Sequence, residues 1–360
     1  MRVMLPLWKI RREIKRLQQQ LRGLVDWVID PVKQRKLDSL VAVGLPRVDG
    51  LLCVSNKIAV LLVYQPSGIS VSTIATCSWL AEQGYAPFVV SNAPISSNDK
   101  ERLSKVIWRA VERPNFGYDF GGYRDGLICL KQWAIIADEL LVLNDSVWLP
   151  TLPQTDILDR LSNHPSDVAG TILRRRGHVQ FLESYLYRFN RNALTHPSFS
   201  EFWEQLRLTS NKYYVIRRGE RGFSEAMHDA GLTVAGIYES SEFLNKIREQ
   251  GNTFLKLTLK YAAYIDAHLE AERDHLLQTS GTDWRVQVLS HIERTLYKRL
   301  SYSSFPYAMV KLTGYPLLKK SKEPVSSAWR REYLAAVEAG CLPQPSEEIL
   351  AEIRSRDYQK

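Results

Sequence analysis

Two polar clusters, separated by about one helix, hold the residue types that chemistry would use. The first reads Arg113-Pro114-Asn115-Phe116-Gly117-Tyr118-Asp119-Phe120-Gly121-Gly122-Tyr123-Arg124-Asp125, and the second, Asn144-Asp145-Ser146, follows the apolar run Leu140 to Leu143 directly. Glycine lets a backbone approach a ligand closely or take a positive φ. Asn115, Asp119 and Asp125 stand among those glycines with oxygen acceptors. A carboxylate delivered at a strand end, as Asp145 is, suits a divalent metal or a ribose hydroxyl, because both want hard oxygen ligands held rigidly. Asn, Asp, Ser and Gly are also what turns are made of, so either cluster alone reads as loop. Their occurrence together and in this order points to a site.

Arg174-Arg175-Arg176 closes the apolar run Asp167 to Leu173. Guanidinium forks match phosphate oxygens, so a diphosphate clamp is one reading and a solvated arginine run the other. His178 is alone nearby, and a lone histidine is more often structural.

Elements that would position these groups alternate along the chain. Ile58 to Tyr64 is an apolar run of strand length, suited to burial on both faces of a parallel sheet. A helix over Ser70 to Gln83, a strand at Pro87 to Ser91, a helix over Asp99 to Ile107 and a short strand at Ala110 to Glu112 follow. A helix is expected from Tyr123 to Trp133, then the strand that ends at Asn144. This alternation predicts an α/β fold, a mostly parallel sheet flanked by helices with right-handed crossovers. The first strand is followed by no Gly-x-Gly-x-x-Gly, which counts against a dinucleotide-binding domain, and the chain has no Gly-Lys-Ser/Thr phosphate loop. Helical stripes are expected over Phe254 to Glu272 and Trp284 to Leu300.

Ile10, Ile14, Leu17, Leu21, Leu24 and Val28 mark an amphipathic helix whose other faces carry Lys9, Arg11, Arg12, Lys15, Arg16 and Arg22. Asp30-Pro31 is expected to end it. Such a helix can lie on an anionic membrane surface or dock on protein. A net charge of +9 attracts polyanions in general, but no nucleic-acid recognition motif accompanies it, so no nucleic acid is expected as partner. Four scattered cysteines, the lack of an apolar run long enough to span a bilayer and a charged start suggest a cytoplasmic setting.

The order of the two clusters resembles the rhamnan synthesis F family, whose members carry Asn-x-Gly-x-Asp-x-Gly followed by Asn-Asp-Ser-x-x-x-Pro, here Asn115 to Gly121 and Asn144 to Pro150. Phe199-x-x-Phe202-Trp203 and Gly314-x-Pro316-Leu317-Leu318-Lys319 resemble further elements of that family, and the likeness spans roughly Ile58 to Lys322. Where the family places a His three residues before its Ser-Tyr pair, this chain has Phe181 before Ser184-Tyr185. The arrangement is also similar to GT-A glycosyltransferases, with only Asp145 left of their Asp-x-Asp pair.

That resemblance implies a GT-A-like (Rossmann-like) domain over 51–250, preceded by a basic amphipathic extension over 1–50 and followed by a helical region over 251–360. It implies an inverting hexosyltransferase that moves a sugar such as rhamnose from a nucleotide-diphosphate donor to a growing, lipid-linked surface polysaccharide such as O-antigen or rhamnan, with possible peripheral contact at the inner face of the membrane. Asn115, Gly117 and Asp119, with Asn144 and Ser146, would grip the nucleotide sugar. Asp145, through Mg or Mn, or Arg174, Arg175 and Arg176 would compensate the leaving diphosphate. Glu220, matching the acid that opens a helix running to Ala-Gly, would be the base, with Glu183 in reserve; plain helix capping is the other reading of Glu220. Loss of one Asp-x-Asp carboxylate keeps a second class open, a catalytically inactive binding or assembly protein of the same fold.

Overall fold

A computed structural model describes residues 26–176, 179–298 and 304–358. The stripe from Ile10 to Leu24 with its basic residues, His178 and the Arg176 side chain lie outside the described residues. A helix over 26–43 (α1) runs straight through Asp30-Pro31, where the sequence led us to expect its end. Its tertiary contacts outweigh the proline. Asp30 accepts hydrogen bonds from Ser210 N and Oγ, both at 2.8 Å, and Leu37 and Val41 are buried.

The centre is an eight-stranded sheet in the order β1-β4-β3-β2-β5-β10-β7-β11. Its strands are Arg47–Asp49 (β1), Lys57–Val63 (β2), Ala86–Ser91 (β3), Arg109–Glu112 (β4), Glu139–Asn144 (β5), Val168–Gly170 (β7), Leu186–Asn190 (β10) and Val234–Gly236 (β11). Parallel pairing joins β2 to β3 and β5, β3 to β4, and β7 to β11; β1 and β10 run against the rest. Helices Val71–Glu82 (α2), Ser97–Ser104 (α3) and Tyr118–Gln132 (α4) make the crossovers. The expected alternation of strand and helix from Ile58 to Asn144 is therefore present.

Strand alternation splits the core in two. Ala59, Leu61 and Val63 of β2 face α2 and the C-terminal helices, whereas Ile58, Val60 and Leu62 face α1, α4 and the aromatic group Phe199, Trp203 and Phe223. Helices between residues 252 and 358 cover the first face and share its core. The stripe expected as one helix from Phe254 to Glu272 is two, Asn252–Lys260 and Ala267–Gln278, because Asp266 caps the second through His268 N and Leu269 N.

Two further departures bear on the site. The apolar run Asp167 to Leu173 is not one strand: the chain leaves the sheet after Gly170. Leu173–Arg176 (β8) then pairs with Val179–Leu182 (β9) as a separate hairpin. Helix α4 begins at Tyr118, five residues earlier than expected, so Gly121 and Gly122 are helical. A Cβ on Gly121 would lie 2.2 Å from the Phe116 carbonyl oxygen, and one on Gly122 would lie 2.1 Å from Leu62 Cδ1. These glycines serve close packing of α4 on the sheet.

Gly121→Ala is accordingly expected to destabilise the protein by about 1–3 kcal/mol, against the ~1 kcal/mol that alanine would add in an open helix, since a backbone carbonyl has nowhere to go. Urea unfolding measures it.

Candidate active site

Parallel strands β2, β5, β7 and β11 end on one side of the sheet, and antiparallel β10 begins there. The loops after β5, β7 and β11 and the approach to β10 help line a cleft of about 1190 Å³, at the edge where open α/β sheets gather ligands. Asn144 and Ser146 line it from the end of β5, Arg174 and Arg175 from β8, Glu183 to Tyr185 from the approach to β10, and Tyr238 from beyond β11.

The two sequence clusters meet here, through different atoms than expected. Asn144 Nδ2 donates to Asp119 Oδ2 at 3.0 Å, and Asn144 Oδ1 accepts from Ser146 N and Oγ. Asp119 lines the cleft from the first turn of α4. Burial, then the nearby Asp145 carboxylate, push its pKa up to about 6, against the pull of Lys212 and Asn144. Asp145 does not line the cleft itself; its Oδ2 accepts from Tyr64 N at 3.0 Å and Gln65 Nε2 at 2.9 Å, which ties the ends of β2 and β5 together. Asn115 is exposed and outside the cleft lining, and Gly117 is buried under Leu208, with φ +84° as the N-cap of α4.

Asp125, an acceptor candidate by sequence, is instead fully buried in an ion-pair network. Arg113 Nε donates to its Oδ2 at 2.6 Å and Arg124 Nη1 to its Oδ1 at 3.0 Å. Arg113 Nη1 and Nη2 also donate to Asn92 Oδ1 and the Phe116 carbonyl. This network holds the Asn115 to Gly117 loop from below.

Among the described residues, no three His, Cys, Asp or Glu side chains cluster as metal ligands. The Asp119 and Asp145 carboxylates are close enough to interact, and are of the hard oxygen type that a divalent cation takes. Each has one oxygen engaged by an amide donor, and their mutual repulsion is part of what raises the Asp119 pKa.

Glu220 sits elsewhere than its expected helix start. Lys212–Val215 is helical, Ile216–Arg221 is a π-turn and Gly222–Asp229 continues, so Glu220 lies in mid-helix and caps nothing. Single π-turns recur at functional sites. Gly219 packs on the ring of Phe120, where a Cβ would come within 2.5 Å of Cγ, and Glu220 beside it lines the cleft. Burial and the Glu183 carboxylate raise its pKa to about 7, while Arg174, Lys319 and the Ser184 N–H pull it down.

Glu183 is buried and bound on both oxygens. Arg174 pairs with Oε1, and Lys319 Nζ donates to Oε2 at 2.9 Å. Lys319 belongs to Leu318–Lys319 (β12), which pairs with Val147–Trp148 (β6). Lys319 and Lys212 both line the cleft; the sequence marked Lys319 only as the last residue of the Gly-x-Pro element, with no role at the site, and nothing local distinguishes Lys212 from a surface lysine.

Comparison with known proteins agrees with this chain order. The profile of rhamnan synthesis protein F matches residues 88–262. The uncharacterized protein y4gN of Sinorhizobium fredii is 31% identical over 262 residues, covering 72% of this chain and 68% of its own. Virulence protein VirA of Vibrio anguillarum is 27% identical over 270 residues, covering 72% of this chain and 81% of that one. Among solved structures, a mannosyltransferase from Pyrobaculum calidifontis in complex with GDP-Man and Mn2+ is 10% identical with a TM-score of 0.29, over 95% of this chain and 92% of that one. A nucleoside-diphosphate-sugar pyrophosphorylase from Vibrio cholerae RC9 is 12% identical with a TM-score of 0.30, over 50% of this chain and 91% of that one. At those scores neither superposition speaks to this chain's chemistry.

The raised Glu220 pKa has a stability consequence of definite sign. An unfolded chain releases this proton near the ordinary glutamate value of about 4.3, while the folded protein keeps it to about 7. The folded state thus binds more protons in between, and stability falls as pH rises through that window. Glu220→Gln is expected to be more stable than wild type at pH ~8, by about 3–4 kcal/mol, with the gap closing below pH ~4. Thermal unfolding at the two pH values measures it.

Proposed function

Because the chain belongs to the rhamnan synthesis protein F family, we propose that it is a glycosyltransferase of polysaccharide synthesis. It moves a sugar, rhamnose by the family's name, from a nucleotide-diphosphate donor to a growing lipid-linked surface polysaccharide. The observation that carries this reading is a part-buried carboxyl of near-neutral pKa, Glu220, lining a cleft shared with Asn144, Arg174 and Lys212. A general base works best when its pKa lies near the operating pH.

In the proposed step Glu220 takes the proton of an acceptor hydroxyl. The acceptor oxygen bonds to the anomeric carbon, and the bond from that carbon to the diphosphate oxygen breaks on the opposite face, which inverts the centre. Asp119, Asn144 and Ser146 hold the donor. Arg174, Arg175 and Lys212 meet the charge that develops on the leaving diphosphate. Asp119 and Asp145 would hold a divalent ion, which when bound supplies further charge compensation to the same diphosphate. Glu183 keeps Arg174 and Lys319 in place rather than acting as a second base, since both its oxygens carry cations.

No helix among the described residues is long and apolar enough to cross a membrane. The proposed acceptor nevertheless requires work at a lipid surface, with the basic stretch before α1 as the peripheral contact and the cytoplasmic face as the place.

Purified protein incubated with a panel of nucleotide-diphosphate rhamnoses and hexoses, with and without Mn2+, tests the reading by mass spectrometry of the acceptor. Wild type is expected to transfer from one donor, with an acidic limb of kcat/KM near pH 7. Glu220→Gln is expected to lose about 100-fold or more in kcat while binding the nucleotide as before. Nucleotide binding without transfer by wild type would make the protein an inactive binding member of its family. Chelation of divalent ions, and Asp119→Asn, are each expected to weaken nucleotide affinity by about 10-fold or more, read by calorimetry.

A further inference from the structure

Helix α1 is apolar on the side that the protein leaves bare. Its inner side carries Asp30, Gln34, Leu37 and Val41, buried or half-buried. With the angular step of an α-helix, Val28, Ile29, Val32, Leu40 and Val43 fall on the opposite side. They are exposed, Val28 at 63%, Val32 at 60% and Val43 at 91%. Arg35 and Lys36 are exposed on that side as well. None of the helix's carboxylates shares it: Asp30 is bonded to Ser210, Asp38 pairs with Arg124 at 2.7 Å, and Asp26 lies on the flank in the first turn. A helix that faces water ordinarily shows the reverse, a polar outer face over an apolar inner one, so this face asks for a partner.

The start of α1 is fastened beside the cleft. Ser210, which holds Asp30, also accepts from Lys33 Nζ at 3.1 Å and, on its carbonyl, from the Tyr118 hydroxyl at 3.3 Å. Shortly after it Tyr213 and Tyr214 are exposed, edge-to-face at 5.7 Å, with the Arg218 guanidinium 5.1 Å from the centre of the Tyr214 ring. Tyr118, Lys212, Val215 and Ile216, around these tyrosines in the chain and in space, line the cleft. Tyrosine rings, apolar in the body and polar at the tip, are suited to the boundary between water and acyl chains.

Charge selects the occupant. A two-fold contact between copies of this chain would bring the same basic patch against itself, and the sequence that runs into α1 adds Lys9, Arg11, Arg12, Lys15, Arg16 and Arg22 against Glu13. An anionic lipid surface suits all of these cations. The apolar stripe of the sequence, Ile10 through Leu24, enters this face at Val28, and one further step of four residues reaches Val32. We propose that the outward face of α1, with Tyr213 and Tyr214, docks on anionic lipid and sets the Tyr118–Lys212 wall of the cleft beside the headgroups. The proposal rests on the transferase reading for its purpose, the capture of a lipid-linked acceptor.

Co-sedimentation of the full chain with vesicles of phosphatidylcholine and phosphatidylglycerol, against vesicles of phosphatidylcholine alone, tests it. Wild type is expected to bind the anionic vesicles and to release them as salt is raised. Val28→Glu with Val32→Glu, and Arg35→Glu with Lys36→Glu, should each weaken that binding by about 10-fold or more, and Tyr213→Ser with Tyr214→Ser by about 3- to 10-fold. These side chains are exposed, so Tm should stay as in wild type, and a pair that fails to fold leaves the other two as the test. Equal binding of both vesicle types, no vesicle binding by wild type, or vesicle binding unchanged in the variants would each overturn the surface. So would a wild-type dimer that Val28→Glu with Val32→Glu turns into a monomer. The two ideas fail separately. Vesicle binding that needs Val28 and Val32, in a protein that transfers from no donor, sinks the transferase and keeps the surface. Transfer to a lipid-linked acceptor in vesicles, at a rate that the variants leave untouched, sinks the surface and keeps the transferase.

Discussion

One buried carboxylate, Glu183, ties the cleft together. It is 3% exposed and ion-paired on both oxygens, to Arg174 from the hairpin and to Lys319 from a strand 136 residues further along the chain. A buried charge is tolerable only when paired and hydrogen-bonded, and Glu183 is held on both oxygens. The pairing therefore fixes the hairpin on one side and the C-terminal segment on the other at a set distance across the cleft. Burial first, and then the Glu183 charge, keep the neighbouring Glu220 protonated to near neutrality against the pull of Arg174 and Lys319. One interaction thus serves both the shape of the cleft and the state of its candidate base.

The sheet supplies the frame on which that interaction works. Strand β10 runs antiparallel between β5 and β7, so the chain enters β10 at the edge where the parallel strands finish. That reversal carries Glu183, Ser184 and Tyr185 to the same rim as Asn144. On the other side of β5, Asp145 binds Tyr64 N and Gln65 Nε2 across the junction with β2, where the strand order changes direction. Behind the rim, the Arg113–Asp125 pair fixes the loop that leads into α4. The C-terminal helices close the remaining wall and share the core of α2.

Much of this frame was legible in the sequence, because apolar runs of strand length alternating with amphipathic stretches report burial directly. The strands from Ile58 to Asn144 and the helices between them follow from that pattern. The convergence of the two polar clusters was legible too, from their order. Their atoms were not. Whether a glycine serves a ligand or a packing contact depends on what lies opposite, and for Gly121 and Gly122 that is Phe116 O and Leu62. Asp125 reads as a loop acceptor until Arg113 is seen beside it. The π-turn at Glu220 leaves no periodic trace, since the helix continues on both sides. Long-range partners such as Lys319 for Glu183, and unsatisfied donors such as the Tyr238 hydroxyl, exist only once the chain is folded.

The central claim is that a sugar nucleotide occupies this cleft with its anomeric carbon within reach of Glu220. A crystal structure of the protein soaked with its nucleotide-diphosphate donor measures that directly. The account predicts the diphosphate beside Asn144, Arg174 and Lys212, and Glu220 on the face of the sugar opposite the leaving oxygen. A donor bound outside the cleft, or one that puts Glu220 on the leaving-group side, would contradict it.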